Sequence, residues 1–474
     1  MNSGRRVPRV AVIGGGISGL AAAHRLVELS RERHRPIELH LFESSDRLGG
    51  VIATERSDGY VIEAGPDSFL SEKPAALKLC ERLGLTDRLV GTREELRRTF
   101  VVRGGRLHAL PDGFLLLAPT RIWPLLATGL FSWPGKLRMG LDLLLPRARA
   151  GGDESLSSFV TRRLGREALE RVAQPLVGGI YTADPDRLSL AATMPRFLEM
   201  ERTERSVILA MWRRQRAAAA GGSTDGSGAR WSLFLSFDGG LQCLVERLTQ
   251  QLPEGVVRLG RPVRAVARTA AGWRIDGDLD CDAIIVAVPA HAAADLVRGA
   301  DGTLADELAA ISYASTAIVN LAFRREDIAH PLDGFGFVVP HREGRTLLAG
   351  TFSSLKYRGR APAGRVLLRA FVGGALQPAA AELDDAELLG RVRRELTDLL
   401  GVRAEPELTR IARWPRSMPQ YHVGHLDRLT RIAQRVASLP GLQLAGNAFT
   451  GVGIPDCIRS GEEAAGAAVD ALIA

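Results

Sequence analysis

Residues 9–50 read RVAVIGGGISGLAAAHRLVELSRERHRPIELHLFESSDRLGG, and this stretch decides the fold. Arg9–Ile13 is a short, nearly continuous apolar run of the kind that a parallel strand buried on both faces requires. Gly14–Gly16 breaks it, Ser18–Leu29 carries apolar residues at helical spacing, and Glu38–Phe42 predicts a second strand, so the segment is a βαβ unit with a short crossover. Gly14-x-Gly16-x-x-Gly19 falls between strand and helix, with Gly15 and Ser18 inside the same turn. There, missing side chains let the backbone approach a pyrophosphate lying on the helix N-terminus. Glu43 follows Gly19 by 24 residues at the end of the second strand, where a carboxylate accepts from both ribose hydroxyls and repels a 2′-phosphate.

The residues that follow separate a nicotinamide from a flavin. Glu43-Ser44-Ser45-Asp46-Arg47-Leu48-Gly49-Gly50 has the spacing E-x3-R-x-G-G, which resembles the extension of the FAD-dependent, amine-oxidase-like flavoproteins and is foreign to nicotinamide dehydrogenases. The resemblance implies noncovalently bound FAD, with Ser44 among its contacts, Gly49 and Gly50 passing close to the diphosphate, and Arg47 neutralising it. Near the other end, Leu442–Gly446 reads as a strand, Gly451–Gly453 as a second glycine turn, and Asp456–Leu472 as a helix entered through Ile454 and Pro455. A second helix dipole then faces the same cofactor, with Gly446, Asn447 and Gly453 around it.

Length and composition agree with a large soluble enzyme. At 474 residues the chain is long enough for two or three structural units around a large interior. The 62 basic residues exceed the 54 acidic ones but are scattered, and only four are Lys (Lys73, Lys78, Lys136, Lys356), so the excess is read as base composition and no nucleic-acid partner is expected. Cys80, Cys243, Cys281 and Cys457 form no CxxC pair and no metal spacing, which predicts reduced thiols in a cytoplasmic protein with neither disulfide nor metal. The N-terminus superficially copies a secretory signal, but Gly14–Gly16 interrupts the apolar helix that such a signal needs.

Further along, Gly113–Pro146 is rich in Leu, Trp and Pro and predicts several short apolar helices. They are read as packed core helices, with a membrane-surface or hydrophobic-substrate patch as the alternative. No run reaches about 18 uninterrupted apolar residues, so no transmembrane segment is expected and any membrane contact is peripheral. Ala217–Ala229, AAAAGGSTDGSGA, reads as a flexible loop at a domain seam, Val256–Val266 and Ala283–Val288 as strands, and Ala386–Leu400 as an amphipathic helix.

Over nearly its full length the chain resembles the bacterial porphyrinogen oxidases of haem synthesis, the coproporphyrinogen III and protoporphyrinogen IX oxidases. The resemblance is carried by GYVIEAGPDSFLSEKP (59–74), GGIYTADPDRLSLAATMPRF (178–197), FDGGLQCL (237–244), RWPRSMPQYHVGHLDR (413–428) and GNAFTGVGIPDCIRSG (446–461). It places the turn Gly65-Pro66-Asp67-Ser68 at the flavin ring, Val263 at the adenine and Trp414 near the flavin. A monoamine oxidase would show an aromatic cage and a Lys near flavin N5, whereas the strand Ser315–Phe323 has no Lys; the carotenoid desaturases lack MPQYHVGH.

The implied reaction is a six-electron oxidation of a porphyrinogen, two electrons at a time through the flavin, with molecular oxygen as acceptor and hydrogen peroxide as product. Hydride transfer to a flavin needs no nucleophile or metal from the protein, so no acid or base is assigned, and Asp67 and Asn447 stand only as near-flavin candidates. Protoporphyrinogen-type relatives often carry Arg where this chain has Thr99, and Lys73 matches a Lys of the coproporphyrinogen type. Coproporphyrinogen III is therefore the expected substrate, with Lys73, Arg98 and Thr99 in its pocket and protoporphyrinogen IX as the alternative. The expected fold is α/β: a GR2-type, Rossmann-like FAD-binding domain from residues 1–90, 235–300 and 405–474, an antiparallel-sheet substrate domain from 91–115 and 301–404, and an inserted helical domain at 116–216. The oligomeric state stays open.

Overall fold

The structure, a computed structural model, describes residues 6–111, 114–115, 118–119, 122–148, 152–220 and 232–473. Its organising layer is a five-stranded parallel sheet in the order Val257–Arg258, Glu38–Phe42, Arg9–Ile13, Ala283–Val286, Leu442–Leu444. Alternate residues of the first strand serve two cores, as a strand's period of two requires. Val10 and Val12 pack under the helices Ile17–Glu32 and Ile454–Ala471, while Ala11 and Ile13 face Ala290–Val297 and Gly302–Ala309. Covering both faces in this way is what permits a parallel sheet so rich in Val, Ile and Ala.

A second sheet has seven strands, in the order Leu408–Pro419, Tyr313–Arg324, Arg365–Gly373, Leu347–Phe352, Gly336–Val338, Thr99–Arg103, Arg106–Ala109. It is antiparallel except where Gly336–Val338 runs parallel to Thr99–Arg103. One face is covered by the helix Asp385–Leu400, whose Leu388, Val392 and Leu396 meet Phe100, Val319 and Phe337. The opposite face contributes Val101, Val338 and Ala349 to a core shared with the helices of residues 133–211. Inside that helical layer the fully buried Arg163 binds the equally buried Asp142, whose other oxygen accepts from Ser206 and the Ile208 amide. Removing one partner of such a pair costs about 3–5 kcal/mol.

Four local expectations change. Val256–Val266 is a strand only at Val257–Arg258, because Gly260 turns to φ +61 and Pro262 lacks the N–H a ladder needs; a separate three-stranded meander begins at Val266. Ala217–Ala220 ends the helix Val207–Ala220, in keeping with the high helix propensity of Ala, and 221–229 lie outside the described residues. The strand Leu408–Pro419, expected within the dinucleotide-binding segment 405–474, instead pairs along Tyr313–Arg324 in the seven-stranded sheet. Within the apolar stretch 113–146 the described residues Phe114–Leu115 and Ala118–Pro119 pair as strands ahead of the expected short helices Ile122–Ala127 and Trp133–Gly140; Leu125, Leu130, Phe131 and Met139 are buried, whereas Trp123, Trp133, Leu137 and Leu144 are exposed. No helix among the described residues is long and apolar enough to cross a membrane.

Candidate functional site

The helices Ile17–Glu32 and Ile454–Ala471 each follow a strand of the same parallel sheet, so both begin at its carboxyl edge, where open α/β sheets hold their ligands. Both start on a glycine, Gly16 and Gly453, with no side chain capping the first turn. Their first amides are therefore left for something else to satisfy. Space is provided as well: a Cβ on Gly16 would meet nothing within 4 Å, while one on Gly19 would collide with the carbonyl of Gly14, which holds the helix tight against the turn. Ser18 is buried in that first turn, and Ile454 and Pro455 form the corresponding turn of the last helix.

Glu43 is anchored at this edge. One carboxylate oxygen accepts the Gly15 amide at 2.7 Å, and the other accepts the Ser45 amide at 2.8 Å, with the hydroxyls of Ser45 at 2.9 Å and Ser44 at 3.2 Å. Burial opposes its ionisation, but these donors outweigh burial and hold the group below the ordinary carboxylate value. The Glu43 carbonyl accepts from the Arg261 amide at 2.9 Å, and Val263, two residues on, packs against the core that contains Ile13 and Phe42. Gly49 donates to the Gly15 carbonyl at 2.9 Å, and Gly50 lies against Gly16. Arg47 turns inward on its own loop, donating to the carbonyls of Gly50 and, at 3.0 Å, Ile52. In this arrangement it fixes the double-glycine passage.

The turn Gly65–Ser68 is joined to that loop by contact: a Cβ on Gly65 would strike the carbonyl of Val51, next to Gly50. Trp414 donates its indole N–H to the Ala64 carbonyl at 2.7 Å, tying the outer strand of the seven-stranded sheet to the same turn. Past Pro66, Asp67 meets Lys356 Nζ at 3.1 Å through both oxygens and the Arg369 guanidinium at 3.2 Å, and it accepts the Ser68 hydroxyl at 2.7 Å. Burial works against its charge, yet the two cations keep it far below the ordinary aspartate value.

At the second turn, Tyr421 donates its hydroxyl to the Asn447 carbonyl at 2.5 Å and accepts the Gly451 amide at 2.9 Å. Its ring stacks on His425 with centroids 4.2 Å apart. Gly446 donates to Ser460 at 3.1 Å, and the Asn447 amide reaches the Ser417 carbonyl at 3.4 Å. Lys73 lies beside this turn, with Nζ 2.5 Å from the Asp456 carboxylate in the first turn of the last helix.

Arg98 and Thr99 stand apart from these groups. Arg98 is largely exposed and paired with Asp333 at 2.6 Å. Thr99 occupies the same sheet row as Gly336, Thr351 and Arg369, three strands from Arg369, which is about 14 Å at the usual strand spacing. Conversely, the residue pattern alone assigns no role to Lys356, Arg369, Tyr421 or His425. Signals exist: Lys356 is one of four lysines, Arg369 interrupts the apolar strand RVLLRAFVG, and Tyr421 and His425 lie within MPQYHVGH. Among the described residues no group of three or more His, Cys, Asp or Glu side chains is placed to hold a metal ion.

Comparison with known proteins extends this geometry. The family model for flavin containing amine oxidoreductases matches residues 17–469. The coproporphyrinogen III oxidase of Bacillus subtilis is 38% identical, over 98% of this chain and 98% of its own length. The protoporphyrinogen oxidase of Bos taurus is 34% identical over 96% of this chain and 97% of its own. A crystal structure of a protein from Exiguobacterium sp. 255-15, named for protoporphyrinogen oxidase, superposes with a TM-score of 0.86 at 32% identity, covering 99% of this chain and 100% of that one. With the family match running from the first glycine turn to the last helix, this oxidoreductase belongs to the flavin containing amine oxidoreductases.

Proposed function

We propose that the protein binds FAD noncovalently and uses it to oxidise coproporphyrinogen III to coproporphyrin III in the cytoplasm, passing electrons to oxygen. The observation that carries the cofactor reading is the pair of uncapped helix starts, Gly16 and Gly453, at one sheet edge beside the anchored Glu43. These groups fit a dinucleotide: uncapped amides for the pyrophosphate, a carboxylate for the ribose, and Val263, two residues past the Arg261 that binds the Glu43 carbonyl, for the adenine. When bound, the flavin supplies the two-electron chemistry, and three rounds convert one porphyrinogen with three molecules of oxygen into one porphyrin and three of peroxide.

The protein's own residues bind, orient and exclude water. Gly65 and Trp414 place the Asp67 turn against the double-glycine loop, and Tyr421 holds the backbone of the second turn. Lys73, held beside the second glycine turn by Asp456, serves as a propionate partner. In this reading residues 1–90, 235–300 and 420–474 bind FAD, 91–115 and 301–404 with the strand Leu408–Pro419 carry the substrate sheet, and 116–216 cover it. Likeness to the Bacillus subtilis enzyme over the whole length supports coproporphyrinogen III as substrate; the bovine relative supports protoporphyrinogen IX as the second reading. The test is anaerobic addition of coproporphyrinogen III to the yellow holoprotein. Bleaching that air reverses is expected, and a flavin that stays oxidised overturns the proposal.

A further inference from the structure

Under the Gly65–Ser68 turn three charged side chains share one nearly dry space. Asp67, Lys356 and Arg369 have side chains 14%, 13% and 2% exposed. Lys356 Nζ lies 3.1 Å from both Asp67 oxygens and 3.4 Å from the Ser68 hydroxyl, above the rings of Phe234 and Tyr357. Arg369 reaches Asp67 with one arm and the Gly65 carbonyl with the other.

Their charges do not cancel, since two cations face one carboxylate. The neighbouring Glu63 is matched by Arg360 at 3.9 Å and does not supply the missing charge. Hydrogen bonding is incomplete too, because Arg369 Nε and the hydroxyls of Tyr357 and Ser353 are buried without a partner among the described residues. A surplus positive charge in so dry a place is costly unless a negative charge arrives to meet it.

We propose that Lys356 and Arg369, steadied by Asp67, are the counter-charge for the negative charge that the flavin ring acquires on reduction, and that this pair sets the cofactor's reduction potential. The inference rests on the FAD reading above. In each round a C–H bond at a porphyrinogen methylene bridge breaks and its hydride forms a bond to flavin N5, while a proton passes to water, from a pyrrole N–H in two rounds and from the fourth bridge in the other. The substrate loses two electrons, and the ring holds the pair with one added negative charge until oxygen takes it and, with two protons, leaves as peroxide. Positive charge near the ring favours that reduced state. Both cations bind the turn itself, through Gly65 and Ser68, and the turn rests on the loop that touches Gly16.

The test is the midpoint potential of the bound flavin in Lys356→Met and Asp67→Asn. Lys356→Met removes the surplus and should weaken two-electron reduction about tenfold, a fall of about 30 mV. Asp67→Asn enlarges the surplus and should move the potential the opposite way, while Lys356→Arg should return it towards the wild-type value. Sulfite, which adds to the oxidised ring and leaves the same negative charge on it, should bind about tenfold more weakly to Lys356→Met. Potentials that move together in the two charge variants, or not at all, with flavin still bound, overturn the inference and leave the FAD reading intact. Wild-type protein that holds no flavin would instead defeat the FAD reading. A change confined to the KM for porphyrinogen would assign the cations to a substrate carboxylate and overturn the inference as well.

Discussion

Glu43 accepts the amide of Gly15 at 2.7 Å, so the residue at the end of the second strand also fixes the middle of the first glycine turn. Positioning and ligand binding therefore converge on one carboxylate. Glu43→Ala leaves the Gly15 amide and a ribose hydroxyl without their acceptor, at roughly 1–3 kcal/mol for each buried group left unmet. The dissociation constant for FAD, measured by fluorescence titration of the apoprotein, should rise at least about tenfold, which corresponds to about 1.4 kcal/mol. Unchanged affinity would remove Glu43 from the ribose.

The cofactor should come away intact. The stretch Arg413–Tyr421 contains no cysteine for a covalent link, and the four cysteines of the chain, Cys80, Cys243, Cys281 and Cys457, are all buried free thiols. Acid or heat denaturation followed by filtration should release all the flavin as FAD. Yellow colour retained on the precipitated chain would contradict this.

His425 predicts how stability responds to acid. Burial, with the nearby Arg428, overrides its bond to the Phe449 carbonyl and brings its pKa down to about 4. The unfolded chain takes up this proton at about pH 6.5, the folded chain only near 4, so the folded state loses stability as pH falls through that window. Each pH unit inside the window removes about 1.4 kcal/mol, a loss on the order of 2–3 kcal/mol by pH 4.5. Denaturant melts at about pH 7 and about pH 4.5 should show it, and His425→Phe, which keeps a ring against Tyr421, should flatten the dependence. An unaltered slope in that variant would place the sensitivity elsewhere.

Much of this site is legible in residues 9–50, because strand, turn, helix and ribose carboxylate lie within one local unit and each element follows from spacing. Contacts made at long range are not. Asp67 and Lys356 are 289 residues apart, and nothing in either local pattern announces the other. The pairing of Leu408–Pro419 with Tyr313–Arg324 is hidden for the same reason, since a strand's period tells which residues share a face but not which strand lies beside it. Lys73 stands out in the sequence as a rare lysine just after the Gly65 turn, but its partner Asp456 emerges only in three dimensions.

Lys73 also carries a test of specificity. Charge-assisted bonds to propionates weigh more for a substrate with four carboxylates than for one with two. Lys73→Ala should lower kcat/KM for coproporphyrinogen III about tenfold and that for protoporphyrinogen IX much less. Because the side chain is 47% exposed, added salt should shrink the difference. Asp456→Asn, which leaves the lysine in place, should preserve the discrimination. Equal losses on both substrates in Lys73→Ala would reduce Lys73 to a clasp on the last helix.

The most direct measurement compares kcat/KM for coproporphyrinogen III and protoporphyrinogen IX in air, with peroxide counted against porphyrin formed. The account predicts a clear preference for coproporphyrinogen III and three peroxides for each porphyrin. Equal or reversed preference, or porphyrin formed without peroxide, would contradict it.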